Sequence, residues 1–190
     1  MKKKLVNWKE KWQSDYHIAE KRLFFTILDN YLKLSPKNIL DIGCGFARES
    51  ELFQKKYNSE LFLLDGDFEP DVNKRREFKY GSADNFRFYN KISDLKKDYL
   101  ERNMSFVFID ANNISIDPKV KFDLIYSIKS CGFHYPIDTY YNLIKNHIHN
   151  NTYLIFDLRQ GNIETQLSKF TIENVLYEDE YRITAELKLK

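Results

Sequence analysis

Two glycines one residue apart, Gly43 and Gly45, follow a short apolar run, Ile39-Leu-Asp-Ile42. A turn without side chains at two positions lets the backbone approach a ligand closely at the carboxyl end of a strand. From Phe46 to Tyr57 the pattern becomes helical, and the first turn of that helix would direct unpaired N–H groups at the same spot. Strand, bare turn and helix N-terminus together outline a nucleotide-type site. Further residues could do chemistry beside it. Asp65 closes a second apolar run, Glu60-Leu-Phe-Leu-Leu-Asp65, 24 positions after Asp41. One carboxylate there can accept both vicinal hydroxyls of a ribose, at a separation close to the ~20 residues expected within a βαβ unit. Asp67 is the alternative acceptor. Asp110 closes a third run, Ser105-Phe-Val-Phe-Ile-Asp110. His134 lies in the loop after a fourth, and an imidazole with a pKa of ~6.5 suits proton abstraction near neutrality.

The motif around the glycines separates several kinds of site. A dinucleotide turn would read G-x-G-x-x-G, but the third glycine position is Arg48, and the G-x-x-x-x-G-K-[ST] phosphate loop is absent. The string Ile39-Leu-Asp-Ile-Gly-Cys-Gly-Phe-Ala47 resembles the first motif of class I S-adenosylmethionine-dependent methyltransferases, hydrophobic-L-D-x-G-C-G-x-G, with Ala47 at the last glycine. Phe122-Asp-Leu-Ile-Tyr-Ser127 resembles that family's fourth strand. The following Ser130-Cys-Gly-Phe-His-Tyr-Pro136 resembles the corresponding loop of small-molecule methyltransferases, sugar O-methyltransferases among them.

The resemblance implies S-adenosyl-L-methionine as cofactor, held by Asp41, Gly43, Cys44, Gly45 and Ser127, with Asp65 on the ribose. Asp110 and the backbone N–H of Ala111 would meet the adenine, since Asp110-Ala-Asn112 is similar to the third motif. The reaction implied is methyl transfer to a small polar acceptor, most simply a hydroxyl, with His134 as general base and Tyr135, Lys129 and Tyr80 around the acceptor. The fold implied is α/β: a Rossmann-like, seven-stranded, mostly parallel sheet ending in an antiparallel hairpin. Residues 1–190 would form one domain, with 1–36 as a helical cap and 37–190 as the core.

The elements that must position these residues can be read independently. Residues 5–33 show two helical pieces: Trp8 and Trp12 share a face, and Ile18, Leu23, Phe24, Ile27, Leu28, Tyr31 and Leu32 recur at helical intervals up to Ser35-Pro36. Tyr16, His17 and Arg22 on that helix could face the site. Residues 68–90 lack a clean period, as a flap or an unrecognised helix would. A helix is expected over about 88–102 with Ile92, Leu95, Tyr99 and Leu100 on its apolar side, and another after Asp138, its expected cap, with Tyr140, Tyr141, Ile144 and Ile148 inward. Strands follow over 151–157, 172–177 and 181–190. The last alternates strictly, with Arg182, Thr184, Glu186 and Lys188 on its wetter face.

The bulk properties exclude several classes. At 190 residues, 43% hydrophobic and with a formal charge of +2, the chain can build a full core and carries no global signal for nucleic acid. There is no basic stripe, and Ser127-Ile-Lys-Ser stands where DNA amino-methylating enzymes carry [ND]-P-P-[YFW]. Lys2-Lys-Lys4 is followed by no apolar stretch, so a signal peptide is not expected, nor is a membrane span. Cys44 and Cys131 as the only cysteines suit a reducing, cytoplasmic compartment. No metal cluster is expected, and the oligomeric state is open. Two competing readings are a protein that binds the cofactor without turning it over, and an enzyme acting on nucleic acid or protein.

Overall fold

The structure is a computed structural model that describes Glu10, residues 14–68, Phe88 and residues 90–190. Trp8, Trp12, Tyr80 and most of the segment read as a flap therefore lie outside the described residues. Alternating strands and helices follow in the order expected. They are α1 (Asp15–Tyr31), β1 (Asn38–Ile42), α2 (Arg48–Tyr57), β2 (Glu60–Asp65), α3 (Ile92–Glu101), β3 (Phe106–Asp110), β4 (Leu124–Ser127), α4 (Tyr141–His147), β5 (Tyr153–Arg159), α5 (Ile163–Gln166), β6 (Phe170–Glu178) and β7 (Arg182–Leu189). The seven strands form one sheet in the order β3-β2-β1-β4-β5-β7-β6. The first five are parallel, and β7 runs antiparallel to both β5 and β6.

Strands covered on both faces need apolar side chains in both directions, and β1, β2 and β4 supply them. Leu40, Ile42, Phe62 and Leu64 face a core closed by α4 and its flanks. Ile39, Leu61, Leu63 and Tyr126 face a second core beneath α1, α2 and α3, where Phe24, Phe53 and Tyr99 are buried. On α1, Phe24 and Leu28 point inward, whereas Leu23 is 51% exposed. The helix is therefore narrower in its apolar stripe than its sequence suggests. Asp138 does not cap α4. It lies inside a 3-10 turn, Ile137–Tyr140, and its carboxylate receives Ser168 at 3.1 Å and Lys169 at 3.4 Å. Among the described residues no helix is long and apolar enough to cross a membrane, and no group of His, Cys, Asp or Glu is arranged to hold a metal.

The strand order reverses between β1 and β4. In an open parallel sheet, a crevice opens at such a switch point, outside the carboxyl ends of the strands. The glycine turn follows β1 and the loop bearing His134 follows β4, so the topology alone brings them face to face.

Candidate active site

The glycine turn is fixed from below and from the side. The N–H groups of Gly43 and Cys44 both donate to the carbonyl of Leu64 on β2, at 2.7 and 3.1 Å. Gly43 has φ +74° and Gly45 φ +48°, a region open to glycine at little cost. Ala47 is also left-handed, at φ 47°, and its methyl is buried in the second core. The turn thus accepts alanine at its third position at a cost of ~1–2 kcal/mol. The absent side chains at the two glycines leave different spaces. A Cβ on Gly43 would come within 1.8 Å of Ser130 Oγ, whereas one on Gly45 would meet nothing nearer than Asn90 Nδ2 at 4.0 Å. Gly43 lets the post-β4 loop close in, and Gly45 exposes bare backbone to the crevice.

Asp65 ties this turn to the end of β2. One carboxylate oxygen accepts the Gly45 N–H at 2.8 Å and the other accepts the Gly66 N–H at 2.8 Å. A carboxylate offers about four lone-pair directions, so its oxygens can serve more than these two N–H groups. Asp67, the alternative, instead accepts the N–H of Ile92 at 3.0 Å at the start of α3. Phe88 returns to this point: a Cβ on Gly66 would fall 2.1 Å from its ring. Glycine at 66 and the aromatic face beside Asp65 are therefore one device. Gly66→Ala is expected to swing the Phe88 ring off the crevice wall and weaken nucleoside binding about tenfold, readable by calorimetry, at little cost in unfolding free energy.

The loop after β4 is held as tightly. Ser127 Oγ donates to the carbonyl of Ile42 at 2.7 Å and accepts the N–H of Cys131 at 2.8 Å. Gly132, at φ +87°, would drive a Cβ to 2.5 Å from the carbonyl oxygen of Asp157. The N–H groups of His134 and Phe133 both donate to Ser130 O, at 2.8 and 3.2 Å. The His134 ring stands edge-on to Phe133, with centroids 5.0 Å apart. Ser130 Oγ and the Tyr135 hydroxyl are 3.2 Å apart beside the glycine turn. Burial, then the neighbouring Tyr140, pushes the Tyr135 hydroxyl well above its ordinary pKa. It stays protonated and acts as a hydrogen-bonding group rather than a base.

These parts converge on one crevice, open in part to solvent. Of the residues expected from sequence, Gly43, Cys44, Gly45, Asp65, Lys129, His134 and Tyr135 line it. Asp41, Ser127, Asp110 and Ala111 stand outside its wall. Asp41 is buried under the turn, bonded to Ser50 and Tyr126, and Ser127 lies under the post-β4 loop. Asp110 accepts the N–H of Asn112 at 2.8 Å, and the N–H of Ala111 is taken by the Asp65 carbonyl at 2.9 Å. From α1 neither Tyr16, His17 nor Arg22 lines the crevice. Lys21 does, paired with Glu49 at 2.5 Å. Sequence reasoning missed Lys21, Glu49, Phe88, Asn90 and Ser130. None left a distinctive signal: Glu49 is one of two acids, with Glu51, in the first turn of α2.

No protein-family model matches the chain, and no curated protein matches it either. Solved structures do. The PH0226 protein from Pyrococcus horikoshii OT3 superposes with a TM-score of 0.65 at 15% identity, covering 94% of this chain and 93% of that one. A ribosomal protein L11 methylase from Lactobacillus delbrueckii subsp. bulgaricus gives 0.56 at 14% identity, covering 92% and 80%. The plantazolicin methyltransferase BpumL, in complex with a triazolic desmethylPZN analog and SAH, gives 0.51 at 18% identity, covering 90% of this chain and 55% of that one. The chain has the class I methyltransferase fold.

Proposed function

We propose that this chain is an S-adenosylmethionine-dependent methyltransferase that acts on a hydroxyl of a small polar molecule. The observation that carries the reading is the joining of the Gly43–Gly45 turn to the Asp65 carboxylate at the sheet's switch point, directly opposite the loop that bears His134. The residues fit the cofactor on their own terms. Gly45 offers bare backbone, Asp65 brings a carboxylate to the end of β2 where vicinal hydroxyls can donate to it, and Phe88 sets a flat apolar face beside that carboxylate. When bound, the cofactor would supply a methyl group already made electrophilic by its sulfonium.

The chain's own residues then have three tasks. The turn and Asp65 fix the nucleoside, which sets the direction of the reactive methyl. Ser130 and Tyr135 offer hydroxyls that hydrogen-bond an acceptor and hold its oxygen in line, and such orientation can be worth effective molarities of ~10⁵–10⁸ M. His134 takes the proton that the acceptor hydroxyl must lose, a contribution of ~10²–10⁴-fold. Lys129 is drawn aside by its ion pair with Glu20 and shapes the wall between α1 and the loop. Since the neighbouring folds bear the names of enzymes for a ribosomal protein and for plantazolicin, the acceptor must be argued from the crevice rather than the fold. A crevice whose wall sets aromatic side chains and single hydroxyls among the ion-paired Lys21, Glu49, Arg48 and Lys129 favours a small molecule over a polymer.

The test is a screen of hydroxylated metabolites with isotopically labelled cofactor, followed by His134→Gln. That substitution is expected to lower kcat by about 10²-fold and remove the acid limb of the pH–rate profile, with cofactor affinity unchanged. An unchanged kcat would eliminate the base, and cofactor binding without transfer to any acceptor would favour a binding module.

A further inference from the structure

Beneath the glycine turn, three ionisable side chains from three elements meet, two of them carboxyls packed away from water. Asp41 on β1 is 3% exposed and Glu49 in the first turn of α2 is 2% exposed. Lys21 reaches them from α1, with its ammonium 2.5 Å from Glu49. Asp41 accepts hydrogen bonds from Ser50 Oγ at 2.7 Å and from the Tyr126 hydroxyl at 2.9 Å. Those donors are neutral. The other titratable groups facing this place are Tyr126 on β4, Cys44 in the turn and Tyr99 on α3 behind it. Burial, the first cause for each, holds all three well above their ordinary pKa values, so none brings a charge. Asp65 acts from the far side, on Cys44 and Tyr99, and Glu20 of α1 acts on Lys21 while itself paired with Lys129 and Arg182.

The count is therefore two carboxyls against one ammonium. With both acids ionised, one negative charge is left over on buried carboxyls. Burial, and then the adjacent Glu49, pushes the Asp41 carboxyl up to about 7, so near neutrality Asp41 is partly protonated in the free protein. Glu49 and Lys21 both line the crevice. The surplus charge is thus presented to whatever occupies the glycine turn.

We infer that Asp41, Glu49 and Lys21 form a charge discriminator that binds the cationic methyl donor in preference to its neutral product. This rests on the methyltransferase reading above. S-adenosylmethionine has a sulfonium and an ammonium against one carboxylate, a net charge of +1. In the transfer the acceptor oxygen forms a bond to the methyl carbon, the S–C bond electrons return to sulfur, and the hydroxyl proton leaves to His134. The product, S-adenosylhomocysteine, is a thioether with no net charge. A site that carries one surplus negative charge loses its electrostatic hold once the methyl has gone, which speeds product release. Asp41, Glu49 and Lys21 are positioning and specificity residues in this scheme, since none touches the reacting atoms.

The sign of the pH dependence follows. A cation on the turn favours ionised Asp41 and lowers its pKa, so binding the donor expels a proton when the free protein is near or below about pH 7. Donor affinity then rises as pH increases from about 6 to 8, while product affinity does not. Both ligands also carry an α-amino group that titrates near ~8. The same measurement on a variant lacking the Asp41 carboxyl contains that effect and subtracts it.

The experiment is equilibrium binding of S-adenosylmethionine and S-adenosylhomocysteine to wild type, Asp41→Asn and Glu49→Gln at about pH 6, 7 and 8. In wild type the donor-to-product affinity ratio is expected to rise about tenfold across this range, the effect of one pKa unit. In Asp41→Asn the ratio should stay flat within about twofold, and in Glu49→Gln it should fall about tenfold at pH 8. A pH-independent ratio in wild type, or one unmoved in both variants while both ligands still bind, overturns the inference. Should Asp41→Asn not fold, the wild-type profile and Glu49→Gln decide. Failure of wild type to bind either ligand would instead sink the methyltransferase reading itself.

Discussion

Arg182→Met is expected to lower the unfolding free energy by ~3–5 kcal/mol, the cost of stripping one partner from a buried ion pair. Arg182 is 3% exposed on β7, and its guanidinium donates to Asp157 at 2.9 Å. Asp157, on β5, is wholly buried and also accepts Thr184 Oγ1 at 2.6 Å and the N–H of Lys129 at 2.9 Å. The same guanidinium lies 3.6 Å from Glu20 on α1 and packs over the Phe24 ring at 4.2 Å. One side chain therefore links the antiparallel hairpin, the central sheet, the post-β4 loop and the N-terminal helix. Without it, Asp157 must keep a buried charge or take up a proton. Burial already pushes its carboxyl up, so protonation sets the ceiling on the loss. Urea unfolding measures the effect. The double variant Arg182→Met/Asp157→Asn should recover part of it, because the amide carries no charge and its oxygen can still accept from Thr184 Oγ1 or the Lys129 N–H. A loss below about 1 kcal/mol in the single variant would show that packing against Phe24, not the ion pair, holds this corner.

That corner also marks where the sequence stops being readable. Strict alternation in β7 says which residues share a face, and it does so correctly. It does not say what covers each face. Arg182 and Thr184, expected on the wetter side, are buried because α1 lies across them, and Tyr31 of α1 reaches Glu186 at 2.5 Å from 155 positions away. The strand ends carrying Asp65 and Asp110 were legible because apolar runs stop at the acid. Their difference in role was not. Both are strand-end aspartates, yet the Asp65 carboxylate meets the N–H of Gly45 across the crevice, while the Asp110 carboxylate folds back on its own turn at Asn112. Lys21 and Glu49 escaped notice because a Lys and a Glu on amphipathic helices ordinarily face water. Only the packing of α1 beside α2 makes them one buried pair. Local periodicity encodes elements, whereas the chemistry of this crevice depends on contacts between elements far apart in the chain.

Asp65→Asn is expected to weaken S-adenosylhomocysteine binding by about 10²–10³-fold, the largest effect foreseen on the ligand side. Both carboxylate oxygens already accept an N–H, from Gly45 and from Gly66. An amide presents only one oxygen, so whichever way Asn turns, its NH₂ faces a backbone N–H. A buried donor left without an acceptor costs ~1–3 kcal/mol, and hydrogen bonds to a charged group are worth ~1.5–3 kcal/mol. Together these amount to ~3–4 kcal/mol, two to three powers of ten in affinity. Part of the loss comes through the distorted turn and part through the ribose, and the two can be separated. The 2′-deoxy analogue of the ligand should bind wild type about tenfold more weakly than the parent compound. It should bind Asp65→Asn no worse than the parent does, because the acceptor for that hydroxyl has gone. Equal discrimination against the deoxy analogue in both proteins would mean that Asp65 serves only to brace the glycine turn, and the ribose contact would then have to be sought on Asn90, a polar neighbour of Gly45.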